Sequence, residues 1–203
     1  MALLVTFTER WIYKMEIINY IRHNEDVAEL LGDICDIYVL PEDKSPQSEN
    51  GHLTYNIPGM TFARSGNGSE YILLEDNSIG YWGSEGKVGR ISDDMESFWK
   101  LIVNCPYWLD YVDYSQYQSM EKLKRFINII QEEHMEMFLE DMDIQIEESQ
   151  KKLAVMLDIP LADNNVENIL MEFYYSATRI PQLIATYMED NGKKHSSSGS
   201  LFN

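Results

Sequence analysis

Between Gly59 and Val103 short apolar runs alternate with clusters of turn-forming residues, and this alternation organises the chain. Met60-Thr61-Phe62-Ala63, Glu70 to Glu75, Ile79 to Gly83 and Lys87 to Ile91 are short and rich in β-branched, aromatic or aliphatic residues, as strands are. The separators are Ser65-Gly66-Asn67-Gly68, Asp76-Asn77-Ser78 and Ser84-Glu85-Gly86. Glycine tolerates positive φ there, and Asn, Asp and Ser bond to their own nearby backbone. Met95, Phe98, Trp99 and Ile102 then recur at helical spacing. Ser92 or Asp93 offers an N-cap oxygen, with Glu96 three residues after Asp93 as in a capping box. The pattern predicts an antiparallel meander covered by an amphipathic helix. Period-two alternation sends Tyr81 and Trp82 to opposite faces of the sheet, which places one of them outside the core.

The flanking segments carry helical patterns. Trp11, Met15, Ile18 and Ile21/Arg22 form a first stripe; Asn24 caps a short second helix through Val27, Leu30 and Leu31, ending at Gly32. Residues 33–40 fit either a strand or a buried connector, Pro41 to Gly51 reads as a polar loop, and His52 to Ile57 alternates like a strand. After the Asn104-Cys105-Pro106 break, a long helix opens near Ser119 with Leu123, Ile127, Ile130, His134 and Met137/Phe138 as its stripe. Leu153 to Ile159 continues apolar up to Pro160. A last helix runs from Asn164 or Asn165 through Val166, Ile169, Leu170, Phe173 and Ala177; Pro181 kinks or restarts it before Leu183, Ile184 and Tyr187. Gly192 to Asn203 has the composition of a flexible tail. The expected class is α+β: an antiparallel sheet flanked by helices with an added C-terminal helical segment. The expected division is 1–118 for that domain, 119–190 for a helical extension packed on it, and 191–203 for the tail.

Charge sharpens this picture. The chain has 34 acidic against 16 basic residues, a formal charge of -18 in 203 residues. Such a chain repels phosphate backbones, which argues against nucleic acid, and it steers basic partners toward itself. Acidity also serves solubility alone, the blander account. Cys35 and Cys105 are far apart without a CxxC neighbour, so neither a zinc knuckle nor a dithiol centre is supported. Two cysteines suit a reducing compartment. No apolar run approaches a membrane span of about 20 residues, and Met1 to Val5 is too short for a signal-peptide core. A cytoplasmic protein without membrane attachment is expected.

Candidate chemistry is sparse. His134 lies among Glu132, Glu133, Glu136 and Glu140, but positions three and four residues away are Ile130, Gln131, Met137 and Phe138. Helical metal ligands share a face at that spacing, so no metal and no cofactor is expected. No local Cys–His pairing or Gly-x-Ser-x-Gly elbow is present, and Ser65 to Ser69 joins two strands without the helix that a phosphate cradle needs. The acidic face from Glu132 to Glu148 is either a solvated helix surface or a docking surface for a basic partner. Tyr107 to Tyr117 interleaves four tyrosines and Trp108 with Asp110 and Asp113. Such residues serve as interface hot spots, and the same spacing of Trp108, Tyr111 and Tyr114 also fits core packing.

The central block resembles the core of the SUKH superfamily, the Smi1/Knr4-like proteins. The resemblance rests on order: Leu40-Pro41-Glu42-Asp43-Lys44, Glu49-Asn50-Gly51, Phe62-Ala63, Ser65 to Gly68, Tyr71 to Leu74, Ile79-Gly80-Tyr81-Trp82, then Ser92-Asp93-Asp94 with Phe98. It covers roughly residues 14 to 105. It implies a protein-binding role without catalysis. Many bacterial members are immunity proteins that neutralise cognate toxins, nucleases among them, while eukaryotic members act as regulatory scaffolds. On composition the candidate contact residues are Tyr81, Trp82, Glu85, Asp110, Tyr111 and Asp113, with the acidic helix second. The expected partner is a basic toxin domain. A regulatory scaffold is the alternative, and a metal-dependent enzyme built on His134 is the alternative of a different class.

Overall fold

A computed structural model describes residues 16–45, 51–140, 146–162, 165–189, 191–197 and 201–202, with side chains outside 51–52 and 135–140. Trp11 and Met15, Glu49-Asn50, Asp141 and Asp143, Asn164, and the side chains of Glu136, Met137, Phe138 and Glu140 therefore lie outside the described residues.

Two helices lead into the sheet. Helix α1, described over 16–22, buries Ile18 and Ile21. Helix α2 (Glu25–Cys35) starts on Asn24, whose side chain accepts from the Val27 N–H. It passes Gly32, the expected stop, and ends on Asp36 in the left-handed conformation (φ 50°). Gly32 is there for closeness: a Cβ would lie 2.9 Å from Tyr38 Cε1. The chain then enters β1 (Tyr38–Lys44), which runs through Pro41. Proline is tolerated because β1 is an edge strand.

The meander forms as its turns dictate. After β2 (Gly51–Tyr55) come β3 (Gly59–Arg64), β4 (Glu70–Leu74), β5 (Ile79–Trp82) and β6 (Val88–Ser92). They assemble into a five-stranded antiparallel sheet ordered β1-β3-β4-β5-β6. Gly68 and Gly86 take φ near +87° and +83° in the turns. Helix α3 (Met95–Asn104) follows, capped by Asp94 rather than Ser92 or Asp93; its side chain accepts from Ser97 N–H at 2.8 Å, and Glu96 pairs instead with Lys100. Residues 107–118 form two short 3-10 turns, Trp108–Tyr111 and Tyr114–Gln118, before α4 (Met120–Glu140), α5 (Ile146–Met156) and α6 (Val166–Thr178).

The C-terminal part departs from expectation. Beyond Pro181 the chain is a strand, β7 (Ala185–Glu189), not a restarted helix. It pairs with β2 and with β8 (Lys194–Ser196) in a second sheet ordered β2-β7-β8. The segment expected to be a flexible tail thus contributes a strand, and it also buries Leu201 and Phe202.

The five-stranded sheet is covered on both faces. Tyr71, Ile79, Tyr81 and Ile91 point into the main core with Phe98, Trp99, Trp108, Phe173 and Phe202. Ile72, Leu74 and Val88 point the other way, against Leu53, Leu183 and Ala185 of the second-sheet layer. The Tyr81/Trp82 alternation holds, but Trp82 packs partly against this second core. Residues on both sides of position 118 share the main core. The class is α+β, with helices on one face and a small sheet on the other. Cys35 and Cys105 are buried free thiols; burial pushes both pKa values up, to about 12 for Cys105.

Candidate functional site

The turn Ser65–Ser69 stands at one end of the meander with a recess on either side. Asn67 Oδ1 accepts from the Ser69 N–H and hydroxyl at 3.1 and 2.7 Å. The Ser69 oxygen in turn accepts from the Tyr81 hydroxyl and the Ser84 N–H, each at 3.1 Å. One buried hydroxyl therefore ties this turn to β5 and to the next turn, so the rims of both recesses are fixed relative to the sheet. Asn67 lines both.

The larger recess, about 620 Å³, opens between the two sheets. On one wall the strand register sets Arg64, Glu70 and Trp82 side by side across β3, β4 and β5. On the other, Leu53, Tyr187 and His195 are neighbours across β2, β7 and β8. Glu70 is 1% exposed and accepts from Arg64 at 2.8 Å and from the Thr61 hydroxyl at 2.9 Å. A buried carboxylate is stable only when so paired, and the pair leaves the floor of this cleft close to neutral. His195 meets Glu189 at 2.7 Å.

The smaller recess, about 250 Å³, lies between the Ser65–Ser69 turn, the end of α2 and the connection after α3. Tyr71, Tyr81 and Trp108 line it, with Tyr81 and Trp108 edge to face at 4.9 Å and Trp108 Nε1 donating to the Tyr71 hydroxyl. Tyr107, Leu109 and the carboxylates Asp36 and Asp110 complete it. Asp36 accepts from the Gly66 N–H at 2.9 Å, and Asp110 meets His134 Nε2 at 2.8 Å. Burial pushes the Tyr71, Tyr81 and Tyr107 phenols up, so these groups stay neutral hydroxyls.

Of the residues expected at a contact surface, Tyr81 and Asp110 meet at this smaller recess, and Trp82 lines the larger one. Glu85 is exposed between Ser84 and Gly86, two residues of the larger cleft. Asp113 caps the second 3-10 turn, and hydrogen bonds from Gln116 and Ser115 hold its carboxyl below the usual range. Tyr111 is 3% exposed and its ring packs on Phe126. Tyr81 is likewise 4% exposed, so it acts as wall and not as protruding contact.

His134 falls on the α4 stripe, yet it reaches Asp110 and its ring meets that of Tyr107 at 4.8 Å, tilted by 58°, anchoring α4 to the first 3-10 turn. Among the described residues no group of three His, Cys, Asp or Glu could hold a metal ion. Glu132, Glu133, Glu147 and Glu148 are exposed. Asp36 is not reached by the sequence pattern, which ends the preceding helix at Gly32, whereas α2 runs on to Cys35 with Asp36 as its cap. The sign is available: Asp is one of the few residues other than glycine that accept a left-handed cap. The sequence pattern also misses the larger cleft, whose second wall needs β7 and β8. Among the described residues no helix is long and apolar enough to cross a membrane. Compared with known proteins, the chain matches no family model, no curated protein and no solved structure.

Proposed function

We propose that the protein binds a basic protein domain and acts by covering it, in the manner of an immunity protein that occludes the cleft of a cognate nuclease toxin. The observation that carries this reading is the excess of acid, 34 acidic to 16 basic residues. A nuclease must attract a polyanion and so presents a basic cleft. An acidic protein approaches such a cleft quickly and is held against it by complementary charge. The meander followed by α3 has the order that the SUKH resemblance implies, which supports the same reading. The surface assigned to the partner is the turn end of the main sheet, with Trp82 and Glu85 beside one recess and Asp110 and Asp113 beside or beyond the other. The mechanism is steric and electrostatic occlusion, with no bond made or broken by this chain.

The test is co-purification of the tagged protein from its native host at low salt and again at high salt, followed by nuclease assay of what is retained. The expected result is one basic partner, weakened by salt, whose cleavage of DNA or RNA stops when the protein is added in equimolar amount. A clean protein with no basic partner at either salt concentration overturns the reading.

A further inference from the structure

We propose that the recess between Asp36, Tyr107 and Asp110 is a socket for one cationic side chain, an arginine or a lysine, presented by the partner. This inference rests on the reading of the protein as a binder of a basic domain. At about 250 Å³ the recess falls below the range of roughly 300–1,000 Å³ in which small-molecule pockets lie, and it suits a single long side chain. Its lining is aromatic, from Tyr71, Tyr81, Tyr107 and Trp108. Aromatic rings attract cations through their negative faces, most strongly where water is excluded. Two carboxylates stand at the lips, and no Lys or Arg is among the lining residues. Both acids are already oriented. The Gly66 N–H holds Asp36 and His134 holds Asp110, so little ordering remains for a guest to induce.

The other recesses lack this combination. In the larger cleft Arg64 and Glu70 answer each other. In the groove between α3 and α6, Asp93 is engaged by Arg179, Asp94 is the α3 cap and Glu96 pairs with Lys100, while Glu172 faces the same Lys100, which already lines the groove as its cation. Of these three recesses, the Asp36–Asp110 one joins aromatic walls to carboxylates that no Lys or Arg pairs and has no Lys or Arg in its lining.

The experiment is a titration of the full, 15N-labelled chain with N-acetyl-arginine amide, N-acetyl-lysine amide and the neutral isostere N-acetyl-citrulline amide. The signals to follow are the Trp108 indole N–H and the Gly66 amide, which bond to Tyr71 and Asp36. Both are expected to shift saturably with the arginine or lysine probe at millimolar concentration and not with citrulline. In D36N/D110N, which keeps side-chain size and an acceptor oxygen, the affinity is expected to fall at least tenfold. No saturable shift, or an equal response to citrulline on the unaltered protein, overturns the socket. A basic partner held equally by the unaltered chain and by D110N overturns the socket and leaves the binding reading standing. A cationic probe that seats while no basic protein is captured does the reverse.

Discussion

At the scale of single residues, Asp76 shows how turn chemistry is put to wider use. Its carboxylate accepts from the Ser78 N–H and hydroxyl, as expected of an Asp-Asn-Ser turn. Its second oxygen also meets the buried Arg90 at 2.9 Å and Arg179 at 3.2 Å. Arg90 in turn donates to the Ser78 hydroxyl and the Pro181 carbonyl, so one turn locks the meander to the segment leading into β7. Partial burial alone would raise the Asp76 pKa, but the bonds from Ser78 and Arg90 outweigh it and hold the carboxyl below its ordinary 3.8. A depressed carboxylate contributes stability that is complete above the unfolded value and lost as pH falls through the lower folded value. Asp76→Asn would turn an amide N–H₂ toward two guanidinium groups. The expected loss is about 1–2 kcal/mol at neutral pH, since bonds to charged groups are worth about 1.5–3 kcal/mol and this one is partly solvated. The gap from the unaltered protein should narrow as pH drops below about 4, where Asp also protonates. Urea unfolding midpoints at pH 7 and pH 3 check both halves; an equal gap at the two values would remove the charge from the account.

At the scale of elements, what the sequence discloses depends on how far apart the cooperating residues lie. The meander is legible because each of its decisions is local. A strand of four to six residues stops at Ser65-Gly66-Asn67-Gly68 or Ser84-Glu85-Gly86, and its neighbour is the next strand. The caps at Asn24 and near Asp94 are legible for the same reason. Strand β7 is not, because Leu183, Ile184 and Tyr187 also fit helical spacing, and what decides the matter is pairing with β2. Likewise nothing local marks Leu201-Phe202 as core after a run of serine and glycine. Phe202 is 5% exposed and meets Tyr117, Phe173 and Tyr174 at ring distances of 4.9 to 5.2 Å. Phe202→Ala should therefore cost about 3 kcal/mol, as truncation of a buried phenylalanine does. Thermal or urea unfolding measures it, and an unchanged midpoint would return this segment to the role of a loose tail. Of the proposed binding surface, the aromatic and acidic content is legible from the sequence. Which tyrosines face inward is not, since Tyr81 and Tyr111 share the composition of a hot spot and the burial of a core.

At the scale of the whole molecule, a charge of -18 acts on every conformation at once. Surplus acid repels itself more strongly in the folded chain than in the expanded one, so it weakens the native state while favouring contact with a cationic surface. Salt shortens the reach of this repulsion, from about 30 Å at 0.01 M to about 8 Å at 0.15 M. The melting temperature should rise by a few degrees across that interval, and differential scanning calorimetry would read it directly. A fall would mean that pairs such as Lys124–Glu167 and Arg22–Asp43 outweigh the general repulsion. The same salt that steadies the free protein should loosen the proposed complex with a basic partner, so stability and affinity are expected to move in opposite directions.

The pairing of β2 with β7 sets a timetable for the newborn chain. Thr54 and Thr186, which bond across these strands, are 132 positions apart. At roughly 5–20 residues per second on the ribosome, β2 emerges about 7–26 s before its partner exists. During that interval the five-stranded sheet, whose strand pairings are all near in sequence, can already form. Leu53 and the outer face of Ile72 and Leu74 meanwhile wait uncovered. The small sheet is thus the last seal applied to a structure otherwise assembled from its middle outward, and a ribosome stalled short of Ala185 would present an uncapped apolar face to chaperones.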